Sequence, residues 1–151
     1  MTERFEQFTG DITLAYKYIL KLKTHCMKTF DLKASNVMCL FYIGKHENGL
    51  TATELCEYCK EDKAGISKSL MVLKEKNLIF EDDDGIKKYR MRYMLTKNGE
   101  EVYKEVLKFI TKAVEVGGEG LSVEERINFY NTLNKIVTNL EKFYGKLEKK
   151  K

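Results

Sequence analysis

Apolar residues recur along this chain with two different periods, and the changes of period outline its elements. Phe5, Phe8, Ile12, Ala15, Ile19 and Leu22 follow one another at steps of three and four, the spacing of one face of a long α-helix. Asp31-Leu32 interrupts it, and Val37, Leu40, Phe41 and Gly44 mark a second helix that ends between Lys45 and Asn48. Thr51 with Glu54 three residues on is a capping box, so a third helix starts there, turning Leu55 and Cys56 inward and breaking near Lys60-Glu61. Asp62 can cap a fourth helix, whose Ile66, Leu70 and Leu73 form one apolar stripe. The period then shortens to two. Leu78 to Glu81 reads as a strand, Asp82-Asp83-Asp84-Gly85 as a hairpin turn and Lys88 to Leu95 as the return strand, with Lys88, Arg90 and Arg92 on one face and Tyr89, Met91 and Tyr93 on the other. Thr96 caps a further helix through Val102, Val106, Phe109, Ile110 and Ala113 until Gly117-Gly118-Glu119-Gly120. A second capping box, Ser122 with Glu125, opens a last helix carrying Ile127, Tyr130, Leu133, Val137, Leu140, Tyr144 and Leu147.

The order from Leu50 to Thr96, a short helix, a turn, a basic helix and two strands, is that of a winged helix-turn-helix. The expected fold is mainly α with a small β wing. It forms a single domain over 1–151, with a winged core over about 32–96 and flanking helices over about 1–30 and 97–148. Those flanking helices carry apolar stripes with no obvious partner inside a small domain. Two chains gain by burying them against each other at about 25 cal/mol per Å², so a homodimer is expected.

Composition narrows the function. A net charge of +4 is only mildly basic, so any affinity for nucleic acid has to come from where the charge sits. Zero Pro suits a chain of uninterrupted helices. The first residues lack the pattern of an export signal, no apolar run is long enough for a bilayer, and a cytoplasmic location is expected. With two His and no nucleotide fingerprint or serine elbow, no nucleophile and base can be paired, so an enzyme is not expected. The glycine cluster at 117–120 lacks the strand and the Lys-Ser/Thr of a phosphate loop.

The candidate DNA contacts are Lys63, Ala64, Gly65, Ser67 and Lys68 at the start of the fourth helix, and Lys87, Lys88, Arg90 and Arg92 along the wing. Small residues permit close approach, Ser and Lys offer hydrogen bonds and charge to base edges, and a basic row suits phosphates. The wing row alone equally fits a charged hairpin edge. Cys56-Glu57-Tyr58-Cys59 is a CxxC on one helix face, open to three readings: buried thiols, a redox pair, or half of a soft-metal site. Zinc would need two more ligands from His25, His46, Cys26 and Cys39, which have no recognisable spacing, so neither a metal nor another cofactor is expected.

Several of these pieces together resemble the MarR-type transcriptional regulators. They are Gly49-Leu50-Thr51 with Glu54-Leu55, Ser67-Lys68 and Leu73, Lys76-Asn77-Leu78-Ile79, and Leu95-Thr96-Lys97-Asn98-Gly99 after the wing. The resemblance implies dimerisation through the terminal helices and a repressor that reads a pseudo-palindromic double-stranded DNA operator. It also implies a crevice for a small, often aromatic effector, for which Tyr16, His25, Cys26, Cys39 and Tyr42 are the candidate lining. Release from DNA is expected on effector binding or, if Cys56 and Cys59 are a redox pair, on oxidation. The other reading is a winged-helix module that docks a protein and does not bind DNA.

Overall fold

The computed structural model describes residues 2–82 and 91–149. Two compact units divide the chain, Met1–Ile110 and Thr111–Lys151. In the first lie α1 (Thr2–Lys28), α2 (Asn36–Lys45), β1 (Leu50–Thr51), α3 (Ala52–Cys59), α4 (Lys63–Glu75), β2 (Ile79–Asp82) and β3 (Arg92–Leu95). The first part of α5 (Lys97–Gly117) also belongs to it, and the second unit holds the rest of α5 and α6 (Val123–Glu148).

The core of the first unit is built from the stripes expected of α2, α3 and α4. Leu40, Ile43, Leu55, Ile66 and Leu73 are fully buried, with Met27 from the end of α1 and Val106 from α5. Each such side chain contributes about 1.5–3 kcal/mol of burial, which holds three short helices together that would not persist alone. Among the described residues two polar side chains are buried with them, and both are satisfied. Asn36 Oδ1 accepts from the Lys33 amide at 2.9 Å, and Ser69 Oγ donates to the Ser35 carbonyl at 3.3 Å.

The strands form one antiparallel sheet in the order β1-β3-β2. Leu50 faces Tyr93 and Thr51 faces Arg92 on one side of β3, while Ile79 faces Leu95 and Asp82 faces Arg92 on the other. The structure departs from the sequence pattern here in two ways. A two-residue strand precedes α3 where only a helix start is expected, because its pairing is with a segment forty residues away and leaves no local trace. Strand β2 runs one residue later than expected, so Asp82 belongs to the ladder and not to the turn. The return strand is described from Arg92 on; Asp83, Asp84, Gly85, Lys87, Lys88 and Arg90 lie outside the described residues.

Both capping boxes are present. At α3 the Thr51 hydroxyl accepts from the Glu54 amide at 3.2 Å, and Glu54 Oε2 accepts from the Thr51 amide at 2.7 Å. That second bond, before all other causes, holds the Glu54 carboxyl below its ordinary value. A depressed folded-state pKa contributes stability above the ordinary value of 4.5, and this is lost as pH falls through the lower one. Thr51→Ala is therefore expected to lower the free energy of unfolding by about 1 kcal/mol at neutral pH, and by less once acid has protonated Glu54 and half the box is gone in both proteins. Urea melts at neutral pH and near pH 3 measure the two gaps; an equal gap at both would show that Glu54 plays no part.

In the second unit Ser122 and Glu125 make the matching box at 2.7 and 3.2 Å, and the Arg126 guanidinium donates back to the Gly118 carbonyl at 2.7 Å. Helix α6 has no buried residue among those described; Ile127, Tyr130, Val137, Leu140, Tyr144 and Leu147 of its expected stripe are all exposed. In α1, Phe5, Ile12, Ile19 and Leu22 are exposed likewise.

Candidate nucleic-acid interface

Helix α4 is held by its apolar stripe and by its cap, and what remains faces outward. Ile66, Leu70 and Leu73 are buried, whereas Lys63, Ala64, Ser67 and Lys68 are exposed in its N-terminal half, continued by Met71 one turn on. Asp62 Oδ1 accepts from the Gly65 amide at 2.7 Å and so fixes where the helix starts. That bond separates Gly65 from its sequence neighbours. Its amide is spent on the cap, it is half-buried, and a Cβ there would meet the Glu61 carboxylate at 3.2 Å, so it shapes the turn and does not share the outward face. Among the described residues no ion pair engages Lys63 or Lys68. Lys74 and Lys76 are committed elsewhere, Lys74 to Glu81 at 2.6 Å and Lys76 to Asp31.

Arg92, placed by the sequence pattern on the outer basic row, is turned to the protein's own backbone. Its Nε donates to the Asn48 carbonyl at 2.8 Å and its terminal nitrogen to the Gly49 carbonyl at 3.2 Å, with Glu54 Oε2 at 3.6 Å. It thus fastens β3 to the loop before β1 and to the same carboxylate that caps α3. No spacing in the sequence signals this, since the partners are carbonyls more than forty residues away. Lys87, Lys88 and Arg90 lie outside the described residues.

The five candidate effector residues do not line one cavity. His25 and Cys26 do line one, of about 460 Å³, with Thr29, Phe30, Glu105, Lys108 and Phe109. The His25 and Phe109 rings are 6.0 Å apart across it, and Lys108 pairs with Glu105 at 2.6 Å. Tyr16 is 65% exposed on α1. Tyr42 stacks on Tyr58 at 5.1 Å, edge-on to Phe41, and its carbonyl is 2.8 Å from His46 Nδ1. Cys39 is buried in the helix-turn-helix core. Phe30, Lys108 and Phe109 escaped the sequence reading because folding alone brings them together with His25 and Cys26, from segments widely separated in the chain.

The CxxC is likewise rearranged by folding. All four cysteines are free. Cys56 and Cys59 are both half-buried against the core, but the sulfur that meets Cys59 is that of Cys39, at 4.0 Å. Among the described residues no cluster of three or more His, Cys, Asp or Glu is arranged to hold a metal ion, and no helix is long and apolar enough to cross a membrane.

Three short helices around one core, a three-stranded sheet ordered β1-β3-β2, and a capped α4 presenting small and basic residues define a winged helix-turn-helix protein. A sequence model of the MarR family matches residues 30–85. Solved structures share the fold over most of the chain. Staphylococcus aureus MarR in complex with salicylate and kanamycin is 25% identical, with 94% of this chain and 95% of that one covered and a TM-score of 0.76. The S. aureus MepR–DNA complex is 19% identical, with coverage of 87% and 97% and a TM-score of 0.79. A MarR-family regulator from Listeria monocytogenes complexed with a 26mer DNA is 18% identical, with coverage of 93% of both chains and a TM-score of 0.80. No curated protein gives a significant match. Over residues 30–85 the chain is similar to the MarR family, and over most of its length it has the fold of solved MarR-family winged helix-turn-helix regulators.

Proposed function

We propose that this protein is a dimeric, sequence-specific DNA-binding repressor that inserts α4 of each protomer into a major groove. The observation that supports it best is the outward face of α4. Lys63, Ala64, Ser67 and Lys68 are exposed together at the end of a rigidly capped helix, with both lysines unpaired among the described residues. Cations so placed gain by releasing counterions from phosphates, while Ser67 and Ala64 can approach base edges. The basic sequence Lys87, Lys88 and Arg90 would add phosphate contacts from the wing. The S. aureus MepR and L. monocytogenes structures contain DNA, which favours the same use of the fold here.

The dimer is proposed from the exposed apolar residues of α1 and α6. The effector is proposed to be a small aromatic compound held in the His25–Phe109 cavity, where the two rings flank the space beside the Lys108–Glu105 pair. The salicylate carried by S. aureus MarR is of that chemical type.

Lys63→Ala and Lys68→Ala are expected to weaken operator binding and to reduce the slope of log K against log salt by about one each. Gel shifts across a salt series measure this. If neither substitution changed the affinity or the slope, α4 would not be the DNA-facing helix, and the protein-docking reading of the fold would be favoured.

A further inference from the structure

Cys39 and Cys59 are twenty residues apart in sequence, on different helices, and their sulfurs are in contact at 4.0 Å. Cys39 lies in the middle of α2 and is 1% exposed; Cys59 is the last residue of α3 and half-buried. The Cys39 thiol also lies beside Ser69 of α4. The pair therefore stands where all three helices of the helix-turn-helix meet. We propose that Cys39 and Cys59 form a dithiol switch, closed to a disulfide by a hydroperoxide, that shifts the DNA-reading end of α4 and lowers operator affinity. The switch chemistry stands on the cysteine geometry alone; only its effect on affinity rests on the DNA-binding reading above.

The two sulfurs are unequal in the way this chemistry needs. The contact with Cys39 holds Cys59 below the ordinary thiol range, with a smaller push in the same direction from Lys23 and opposition from burial and Glu61. The same contact, and then burial, raises Cys39. Cys59, the more accessible and more acidic, is the sulfur that attacks. Its thiolate attacks the terminal oxygen of the hydroperoxide, the O–O bond breaks with loss of alkoxide (hydroxide when the oxidant is hydrogen peroxide), and Cys59 becomes a sulfenic acid. The Cys39 sulfur then attacks the Cys59 sulfur, the S–OH bond breaks, and water leaves with the thiol proton. Two thiols have lost two electrons and two protons, and the peroxide has been reduced to its alcohol and water, or to two waters.

A disulfide needs a sulfur separation of about 2.05 Å, so the contact has to close by roughly 2 Å. Cys39 sits within the buried cluster with Leu40, Leu55 and Ile66 and has little room to move. Cys59 adjoins the exposed turn, where Lys60 already holds a left-handed conformation at φ 57° and Asp62 caps α4. The turn is the side that yields. It carries Asp62 and Lys63, the first residues of the outward face, with it.

The full-length protein treated with hydrogen peroxide, alkylated and digested with trypsin tests this directly. Cys39 falls in the peptide 34–45, and Cys56 and Cys59 share the peptide 46–60. The expected product joins the two peptides, migrates as a single chain without reductant, disappears in Cys59→Ser and persists in Cys56→Ser. A loop within 46–60 would assign the disulfide to Cys56 and Cys59 and overturn the proposal. So would full alkylation of Cys39 and Cys59 after exposure to the oxidant, or a cross-link between two chains. Gel shifts on the same samples are expected to show at least a tenfold loss of affinity on oxidation, restored by dithiothreitol and absent in Cys59→Ser. A verified Cys39–Cys59 disulfide that left affinity unchanged would overturn the switch. Failure of the reduced protein to bind any DNA would instead count against the DNA-binding reading, with the disulfide still scored by mass.

Discussion

Gly99→Ala is expected to cost about 3 kcal/mol or more, a large share of the 5–15 kcal/mol that holds a typical domain. Gly99 lies in the first turn of α5, where the chain leaves β3, and an alanine Cβ there would sit 1.9 Å from the carbonyl oxygen of Leu78. Neither partner can step aside. The Leu78 carbonyl also accepts from the Thr96 amide at 3.0 Å, while the Thr96 hydroxyl donates to the Asn77 carbonyl at 2.7 Å and accepts from the Gly99 amide at 3.0 Å. This knot joins the end of α4, the start of β2 and the start of α5. An extra methyl group has to break at least one of its bonds or displace the helix. The urea midpoint of the purified variant measures the loss; a midpoint within 0.5 kcal/mol of the parent would mean that the close approach at Gly99 is not a constraint in solution.

The second large effect concerns assembly. If the proposed dimer forms through α6, Ile127→Glu together with Leu140→Glu is expected to convert it to monomers and to lower operator affinity at least a hundredfold, with the helix content little changed. Both residues are more than half exposed on α6, so the single chain has little packing to lose, and Glu is a good helix former. In a dimer the same residues would be buried, and an unpaired buried carboxylate is costly enough to separate the chains. Once separated, each half-site contact has to be made without its tethered neighbour, and a gain of 10²–10⁴ from linked binding is lost. Sedimentation velocity and gel shifts read the two consequences. Retained dimers would place the interface elsewhere, and monomers with full affinity would show that one protomer is the binding unit.

What the sequence makes legible here is what depends on near neighbours. The stripes of α2, α3 and α4, both capping boxes and the Asp62 cap are local patterns of three to eight residues, and all appear where the spacing puts them. Contacts made across tens of residues are not legible in that way. Strand β1 exists only because β3 lies beside it, Arg92 turns inward because the Asn48 and Gly49 carbonyls are there, and Cys59 meets Cys39 instead of its motif partner Cys56. Gly65 shows the limit within a single helix. Its place in sequence suggests a DNA-facing residue, and only the cap geometry reveals that its amide is already used.

The most direct test of the central claim is selection of binding sites by the reduced, full-length protein from randomised duplex DNA, followed by footprinting of the enriched sequence. Two copies of α4 reading adjacent major grooves predict a pseudo-palindrome with half-sites centred about one helical turn apart, 10–10.5 base pairs, and two matching protected patches. Failure to enrich any sequence over the starting pool, or enrichment of a single unpaired half-site, would contradict the account.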